Sequence, residues 1–488
     1  MGIPRITISA LRGGSGKTIL SVGLAAALRN RGVAVAPFKK GPDYIDAGWL
    51  ALAAGRPCFN LDTFLIDPVG IHDSFRAHAG QDTLALIEGN RGLYDSVDRE
   101  GTTSTAELAK LLVSPLILAI DCTKSTRTVA ALVMGCSVFD PEVDIRGIVL
   151  NRVAGSRHEA NVRRNVEAYC GIPVLGAVPK LPGEDFPERH MGLVPMQEHD
   201  WAVDAVQATA AMAEKYLDVG TLEQVARSPL LPEPPKPAAT AGDDVRAELL
   251  ERVDEAGGER PRVGVVRDSA FQFYYPENLD ALEHAGAELV EFSLVDDDGL
   301  PDVDALYIGG GFPETHAGAL AENSAMRAQV RKAADNGMPM YAECGGLMYL
   351  GRELLLDGAT YPMAGVFPVV FGLSEKPQGH GYTVVEVVRN NPYFPVGARL
   401  KGHEFHYSTV HEWTGDETEL AFAMERGKGF SNKMDGLCRA NVLATYTHIH
   451  ALGTPAWAPA LVNQAKACRA ARRAPLLRVT QSKTGTKA

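Results

Sequence analysis

The stretch Leu11-Arg12-Gly13-Gly14-Ser15-Gly16-Lys17-Thr18 decides the fold of the first half of this chain. It follows the β-branched run Ile6 to Leu11 and precedes Ile19 to Arg29, whose apolar spacing predicts an amphipathic helix. A glycine-rich loop between a strand and a helix that opens on Lys-Thr is a P-loop in its required context. Free backbone N–H groups at such a helix start cradle phosphates, the lysine reaches the β and γ oxygens, and the next hydroxyl holds Mg²⁺. Gly13, Gly14, Ser15, Gly16, Lys17 and Thr18 are therefore the expected ATP-binding residues. One position departs from G-x-x-x-x-G-K-[ST]: Leu11 stands where the first glycine belongs.

Outward from this loop, β-branched runs alternate with turn signals and helical stretches, the pattern of parallel α/β sheets. Val33 to Phe38, Thr83 to Glu88, Pro115 to Asp121, Ile145 to Asn151 and Pro173 to Val178 join the first run in one unit, residues 1–228. Residues 229–260 begin proline-rich (Pro232-Glu233-Pro234-Pro235-Lys236-Pro237) and read as a linker. The alternation resumes with Arg262 to Arg267, Glu288 to Phe292, Val303 to Ile308 and Met338 to Glu343, so a second α/β unit is expected over 261–460. A basic tail is expected over 461–488, with its last twenty residues solvated.

A magnesium nucleotide needs carboxylates, and in open parallel sheets ligands collect at the carboxyl edge of the strands. Asp43, Asp46, Glu88 and Asp121 sit where strands end. Thr18, Asp43 and Glu88 are the expected metal ligands.

In the second unit the strand ending at Glu343 stops at Cys344-Gly345-Gly346, a turn into a helix built around a cysteine. A helix N-terminus favours thiolate, so the pKa of Cys344 is expected to fall. The loop Gly309-Gly310-Gly311-Phe312-Pro313-Glu314 at the end of a neighbouring strand can aim backbone N–H groups at an oxyanion, with Gly311 and Gly345 as the donors. The base is expected in Thr445-Tyr446-Thr447-His448-Ile449-His450, with His448 preferred and His450 its rival. Many related glutaminases orient the histidine with a glutamate two residues on. Here that place is His450, so a carboxylate must come from elsewhere, for example Glu404.

A net charge of −12 at pH 7 repels nucleic acid backbones, and no apolar run approaches the roughly 20 residues of a membrane helix. Neither nucleic acid nor membrane is an expected partner. Seven scattered cysteines without a C-x-x-C pair suggest reduced thiols, and the N-terminus runs straight into a strand, so the cytoplasm is the default location. A homodimer is the expected assembly.

A carboxylate becomes an amide only after activation, as an acyl phosphate, and attack by ammonia. A P-loop unit beside a cysteine unit that hydrolyses glutamine meets both needs, which points to an amidoligase using ATP, Mg²⁺ and glutamine. The string Gly13 to Thr18 resembles the deviant P-loop of partitioning ATPases and dethiobiotin-synthetase-like enzymes, with Arg12 where some carry a signature lysine. The second unit is similar to class I glutamine amidotransferases.

Across residues 3–455 the chain resembles the cobyrinic acid a,c-diamide synthase family. The resemblance lies in Gly41-Pro42-Asp43-Tyr44-Ile45-Asp46, Glu188-Arg189-His190-Met191-Gly192-Leu193, Arg267 to Leu279, Gly309 to Glu314, Ala342-Glu343-Cys344-Gly345-Gly346 and Gly402 to Ser408. It implies ATP-dependent amidation of the a and c acetates of a tetrapyrrole, with Lys17, Thr18, Asp43 and Glu88 at nucleotide and metal positions, Cys344 as nucleophile and His448 as its partner. It also sets Arg189 and His190 near the macrocycle or activated carboxylate.

Asn90-Arg91, after Glu88-Gly89, departs from the apolar pair usual there and is closer to a branch thought to amidate sirohaem; a nickel-sirohydrochlorin amidase is another relative. Asp46, Asn90 and Arg91 are therefore further expected substrate contacts. Cobyric acid synthase is a rival in the same reaction class. A rival of another class is a partitioning-type ATPase switch with a degenerate glutaminase-like binding module, which would release no ammonia from glutamine.

Overall fold

The computed structural model describes residues 2–180, 188–189, 192–193, 201–228 and 260–483. His190 and, apart from Arg260, the expected linker lie outside the described residues. The chain divides into two compact units, Met1–Ala238 and Ala239–Ala488.

In the first unit seven strands lie in the order β3-β2-β4-β1-β5-β6-β7. They are β1 (Arg5–Ala10), β2 (Val35–Lys40), β3 (Phe59–Leu61), β4 (Leu84–Glu88), β5 (Leu116–Asp121), β6 (Ile145–Val153) and β7 (Val174–Pro179). Every pairing is parallel. Strands buried on both faces need apolar residues throughout, and β1, β2 and β4 are buried at every position. The short edge strand β3 is the one the sequence pattern does not announce.

The helix after the P-loop, α1 (Lys17–Asn30), is not the half-exposed amphipathic helix expected. Leu20 to Leu28 are all buried, because α1 lies between the sheet and the helix Ala202–Tyr216. The helices meet so closely that a Cβ on Gly23 would stand 2.6 Å from the carbonyl oxygen of Thr209. Arg189 falls in a two-residue strand, Glu188–Arg189, antiparallel to Gly192–Leu193.

The second unit carries a ten-stranded sheet. In spatial order its strands are Glu288–Phe292, Arg262–Val266, Ala305–Ile308, Met340–Glu343, Val442–Thr445, Met434–Arg439, Leu420–Arg426, Gly379–Val387, Arg399–His406 and His448–Ile449. The first five are parallel and the rest antiparallel. The parallel half is legible in the sequence; the antiparallel half is a chain of hairpins whose partners only the fold supplies.

The basic tail expected from 461 opens within a helix. A helix runs from Trp457 to Lys483, and Trp457, Leu461, Val462 and Ala465 are buried in the core against Tyr307 and Tyr341. Their spacing, one face every three to four residues, is an apolar stripe that the surrounding Lys and Arg obscure. Among the described residues no helix is long and apolar enough to cross a membrane.

The indole of Trp457 packs with ring centroids 5.1 Å from Tyr307 and 5.3 Å from Tyr341 and is fully buried. Trp457→Ala should therefore destabilise the second unit by about 3–5 kcal/mol. A loss under about 1 kcal/mol in chemical unfolding would mean that the helix is an ornament and not part of the core.

Candidate active sites

The P-loop is shaped by two left-handed glycines, Gly14 (φ 70°) and Gly16 (φ 84°), the second directly before α1. Asn151, at the end of β6, donates its amide to Ser15 O at 2.7 Å, and a Cβ on Gly16 would lie 2.4 Å from that amide nitrogen. Asn151 thus clamps the loop, a role nothing in its sequence context signals. Burial and the neighbouring Lys39 lower the pKa of Lys17, which is itself buried.

Behind the loop lies a charged cluster. The Thr18 hydroxyl is 2.8 Å from Glu88 Oε1 and 3.2 Å from Asp46 Oδ2. Lys39 Nζ donates to the same two oxygens, at 2.7 Å to Asp46 and 2.8 Å to Glu88. Burial opposes the Lys39 charge, but Asp46, Glu88 and Asp43 outweigh it and raise its pKa. Glu88 Oε2 is buried with no hydrogen-bond partner among the described residues, and burial pushes the pKa of Glu88 up.

The structure places the two aspartates differently. Asp46, expected at the substrate, stands with Thr18 and Glu88, whereas Asp43, expected at a metal, accepts the backbone N–H of Asp46 at 2.9 Å and so sits at the start of the helix Ile45–Ala54. The reason is helical geometry: the chain turns between the two aspartates, and the one inside the first turn points back to the sheet. One hydroxyl and two carboxylates suit a hard cation that takes its remaining ligands from phosphate and water. No group of three His, Cys, Asp or Glu among the described residues would hold an ion unaided. Lys39, buried in a strand, is the residue sequence reasoning missed; a Lys39-Lys40 pair closing an otherwise apolar strand was the available signal.

Asp121 is drawn elsewhere. It pairs with Arg152 at 2.8 Å and Arg12 at 3.5 Å, and although burial works against its charge, hydrogen bonds from Thr123 and Arg152 bring its pKa down to about 2. Asn90 is half-buried, its backbone N–H donating to Thr105 Oγ1 at 3.2 Å, while Arg91 is exposed in a left-handed conformation (φ 53°).

In the second unit Cys344 sits at the turn between Met340–Glu343 and the helix Gly345–Leu350 with φ 48° and ψ −96°, a conformation that strains any side-chain-bearing residue. Its own N–H donates to Thr445 O at 2.8 Å, which ties the turn to the strand before His448. The expected fall in thiol pKa is corrected. Burial, with Glu314 nearby, raises it, and the N–H of Gly345 offsets only part. Helix dipole and free amides are outweighed by desolvation in a site this closed.

The glycine loop adjoins this turn. A Cβ on Gly345 would be 3.0 Å from the backbone nitrogen of Gly311, and one on Gly311 would be 2.0 Å from Ala270 O. Only glycine fits at position 311, and a side chain at 345 would crowd the loop. Tyr274, from the Phe273-Tyr274-Tyr275-Pro276-Glu277-Asn278 string, accepts the N–H of Gly309 at 2.7 Å and donates to Val266 O, fixing the loop's entry.

His448 lies against this loop: a Cβ on Gly310 would be 2.6 Å from its Cε1 and 3.4 Å from its Nε2. The opposite nitrogen, Nδ1, is 3.4 Å from Glu343 Oε2. Glu404 does not serve His448. It accepts the amides of Lys428 at 2.6 Å and Gly429 at 3.0 Å and faces His406 at 3.9 Å. His450 faces away, with Nε2 3.6 Å from Glu277. His403 stacks on His448 at 4.8 Å, and burial beside His448 and His450 holds its pKa well down, so it is a neutral neighbour. Buried Asp435 accepts Thr445 Oγ1, Tyr446 N and both polar groups of Thr447, at 2.7 to 3.0 Å, and so pins the turn that presents His448.

The fold and these clusters define a protein of two joined parts, a P-loop nucleotide-binding unit and a glutamine amidotransferase unit. Residues 6–194 match the CobQ/CobB/MinD/ParA nucleotide binding domain, and residues 262–456 match the CobB/CobQ-like glutamine amidotransferase domain. The chain is 45% identical over 460 residues to a cobyrinate a,c-diamide synthase of Magnetococcus marinus, covering 94% of this chain and 96% of that protein. The enzymes of that name from Methanosarcina barkeri (38% identical, covering 96% of this chain and 97% of that protein) and Archaeoglobus fulgidus (39%, covering 95% and 98%) are also similar. The chain belongs to the cobyrinate a,c-diamide synthase family. These relatives lend no support to the sirohaem branch that Asn90-Arg91 suggested.

Asp43 generates a pH-dependent prediction. Burial and the neighbouring Asp46 raise its pKa from 3.8 to about 7. Between those values the folded protein holds a proton that the unfolded chain lacks. The stability this contributes is complete below 3.8 and lost as pH rises through about 7. In urea unfolding of the nucleotide-free protein, followed by Trp49 and Trp201, Asp43→Asn should gain on the parent by about 2 kcal/mol between pH 5 and pH 7.5. An equal difference at both pH values would show that Asp43 ionises in the fold as it does in water.

Proposed function

We propose that this chain catalyses the ATP- and glutamine-dependent amidation of the a and c acetate groups of cobyrinate. What carries the reading is that a chain similar to cobyrinate a,c-diamide synthases over nearly its whole length keeps both centres intact: the P-loop with its Thr18-Asp46-Glu88-Lys39 cluster, and the cysteine turn with His448 beside it.

In the first unit the loop Gly13 to Thr18 binds the phosphates of ATP, and Lys17 offsets charge on the oxygens that leave with ADP. Thr18, Asp46 and Glu88 would hold Mg²⁺, which when bound neutralises phosphate charge. A substrate acetate takes the γ-phosphoryl group and becomes an acyl phosphate. Ammonia then attacks the acyl carbon, phosphate leaves, and the amide remains. Arg91 and Asn90, at the rim beside Glu88, together with Arg189 and His190, are the side chains assigned to the ring's carboxylates, where Arg pairs bidentately.

In the second unit His448 takes the Cys344 proton and the thiolate attacks the carboxamide carbon of glutamine. The N–H groups of Gly311 and Gly345 meet the oxyanion. His448 returns the proton as ammonia departs, and water hydrolyses the thioester to glutamate. The thiol's raised pKa is consistent with a cysteine that ionises only when its proton has a partner to go to.

Cobyrinate incubated with ATP and glutamine should lose about one mass unit per amidation, two in all, and an unchanged mass would defeat the reading. Cys344→Ala should abolish turnover with glutamine and retain turnover with ammonium; equal failure of both nitrogen sources in a folded variant would refute the division of labour. Lys17→Ala should lower turnover by at least about 100-fold with either source. Near-normal turnover would move activation away from the P-loop.

A further inference from the structure

We propose that Glu343, the residue immediately before the cysteine, is the carboxylate that positions His448, so that one strand end supplies both the nucleophile and the acid that orients its base. The inference rests on the amidase reading and deepens its glutaminase step.

Glu343 closes the strand Met340–Glu343, and Cys344 opens the turn after it with φ 48°. Glu343 is completely buried at the end of Met340–Glu343. Its Oε2 stands 3.4 Å from His448 Nδ1, and the same oxygen accepts the hydroxyl of Tyr307 at 3.3 Å. Its Oε1 accepts the N–H of Ile449 at 3.1 Å, so the carboxylate faces the ring and bonds the backbone of the strand that carries it. Tyr307 is held in turn by Asn278, whose amide also bonds Ile449 O at 3.0 Å and whose carbonyl accepts Ala451 N at 2.7 Å. The two sides of the His448 strand are thus bonded from one buried polar layer.

This arrangement fixes the imidazole. With Nδ1 turned to the carboxylate, Nε2 and Cε1 face Gly310 and the loop of the proposed oxyanion donors. A proton on Nδ1 faces the Glu343 carboxylate at 3.4 Å, which leaves the Nε2 lone pair as acceptor for the thiol proton. When that proton arrives the ring is an imidazolium and Glu343 remains a carboxylate beside it, stabilising the charge without taking the proton. Two other carboxylates could have had the task. Glu404 is spent on Lys428 and Gly429 N–H groups, and Glu277 faces His450.

Glu343→Gln keeps the shape and removes the charge. It should lower kcat for glutamine hydrolysis by about 100-fold or more while KM for glutamine stays within about threefold, and amidation from ammonium should continue. Alkylation of Cys344 by iodoacetamide should slow at neutral pH, and its pH dependence should shift upward, which a merely structural residue would not cause. Glu343→Asp, with the charge kept and the reach shortened, should fall between parent and Gln variant. Parent-like kcat and alkylation in the Gln variant would overturn the proposal, and so would equal losses in the Asp and Gln variants, since packing and not charge would then be at stake. Measured beside them, Cys344→Ala separates the two levels. Glutamine use lost in Cys344→Ala but kept in Glu343→Gln sinks this proposal alone, whereas glutamine use kept in Cys344→Ala sinks the amidase reading itself.

Discussion

The Lys39 ammonium between Asp46 and Glu88 is the interaction on which the first unit's chemistry depends. Three elements meet there: β2 brings the lysine, β4 brings Glu88, and the helix after β2 brings Asp46. The carboxylates that Thr18 needs would repel one another in a site this dry, and a buried carboxylate without a counter-charge takes up a proton. Lys39 holds them close and offsets part of the burial that pushes the Glu88 pKa up. Breaking such a buried pair by removing one partner costs about 3–5 kcal/mol because the other charge is left behind. Asp43, one step outside the pairing, shows the consequence: with burial dominant and Asp46 beside it, its pKa climbs to about 7.

The second unit solves a related problem with a longer chain of bonds. A cysteine in a closed turn is poorly ionised, so its reactivity must come from a base held at one angle. Asp435 pins the turn before His448, Cys344 N–H binds Thr445 O, and Glu343 bonds Ile449 N and faces His448 Nδ1. The strained backbone at Cys344, the glycine that alone fits between Ala270 O and the turn, and the buried tyrosines of the Phe-Tyr-Tyr-Pro-Glu-Asn string all serve one geometry. In both units the parallel sheet does the aiming, since its strands deliver their last residues to one edge.

What the sequence by itself determined was the local architecture. The P-loop, the cysteine turn, the glycine loop, six of the seven strands of the first sheet and the parallel strands of the second are each written in a few consecutive residues, because strand, turn and helix start are set by neighbouring backbone dihedrals and backbone N–H groups. Tertiary structure alone decided which side chains meet. Asp46 and not Asp43 joins Thr18, Lys39 sits between two carboxylates, Asn151 clamps a loop 136 residues away, Asp121 pairs with arginines, and Glu343 and not Glu404 faces His448. The start of the tail, Leu461, Val462 and Ala465, likewise became core beside Tyr307 and Tyr341. These pairings depend on strand register and on the direction a side chain leaves its element, and both are fixed by packing between segments far apart in the chain, where no local pattern reaches.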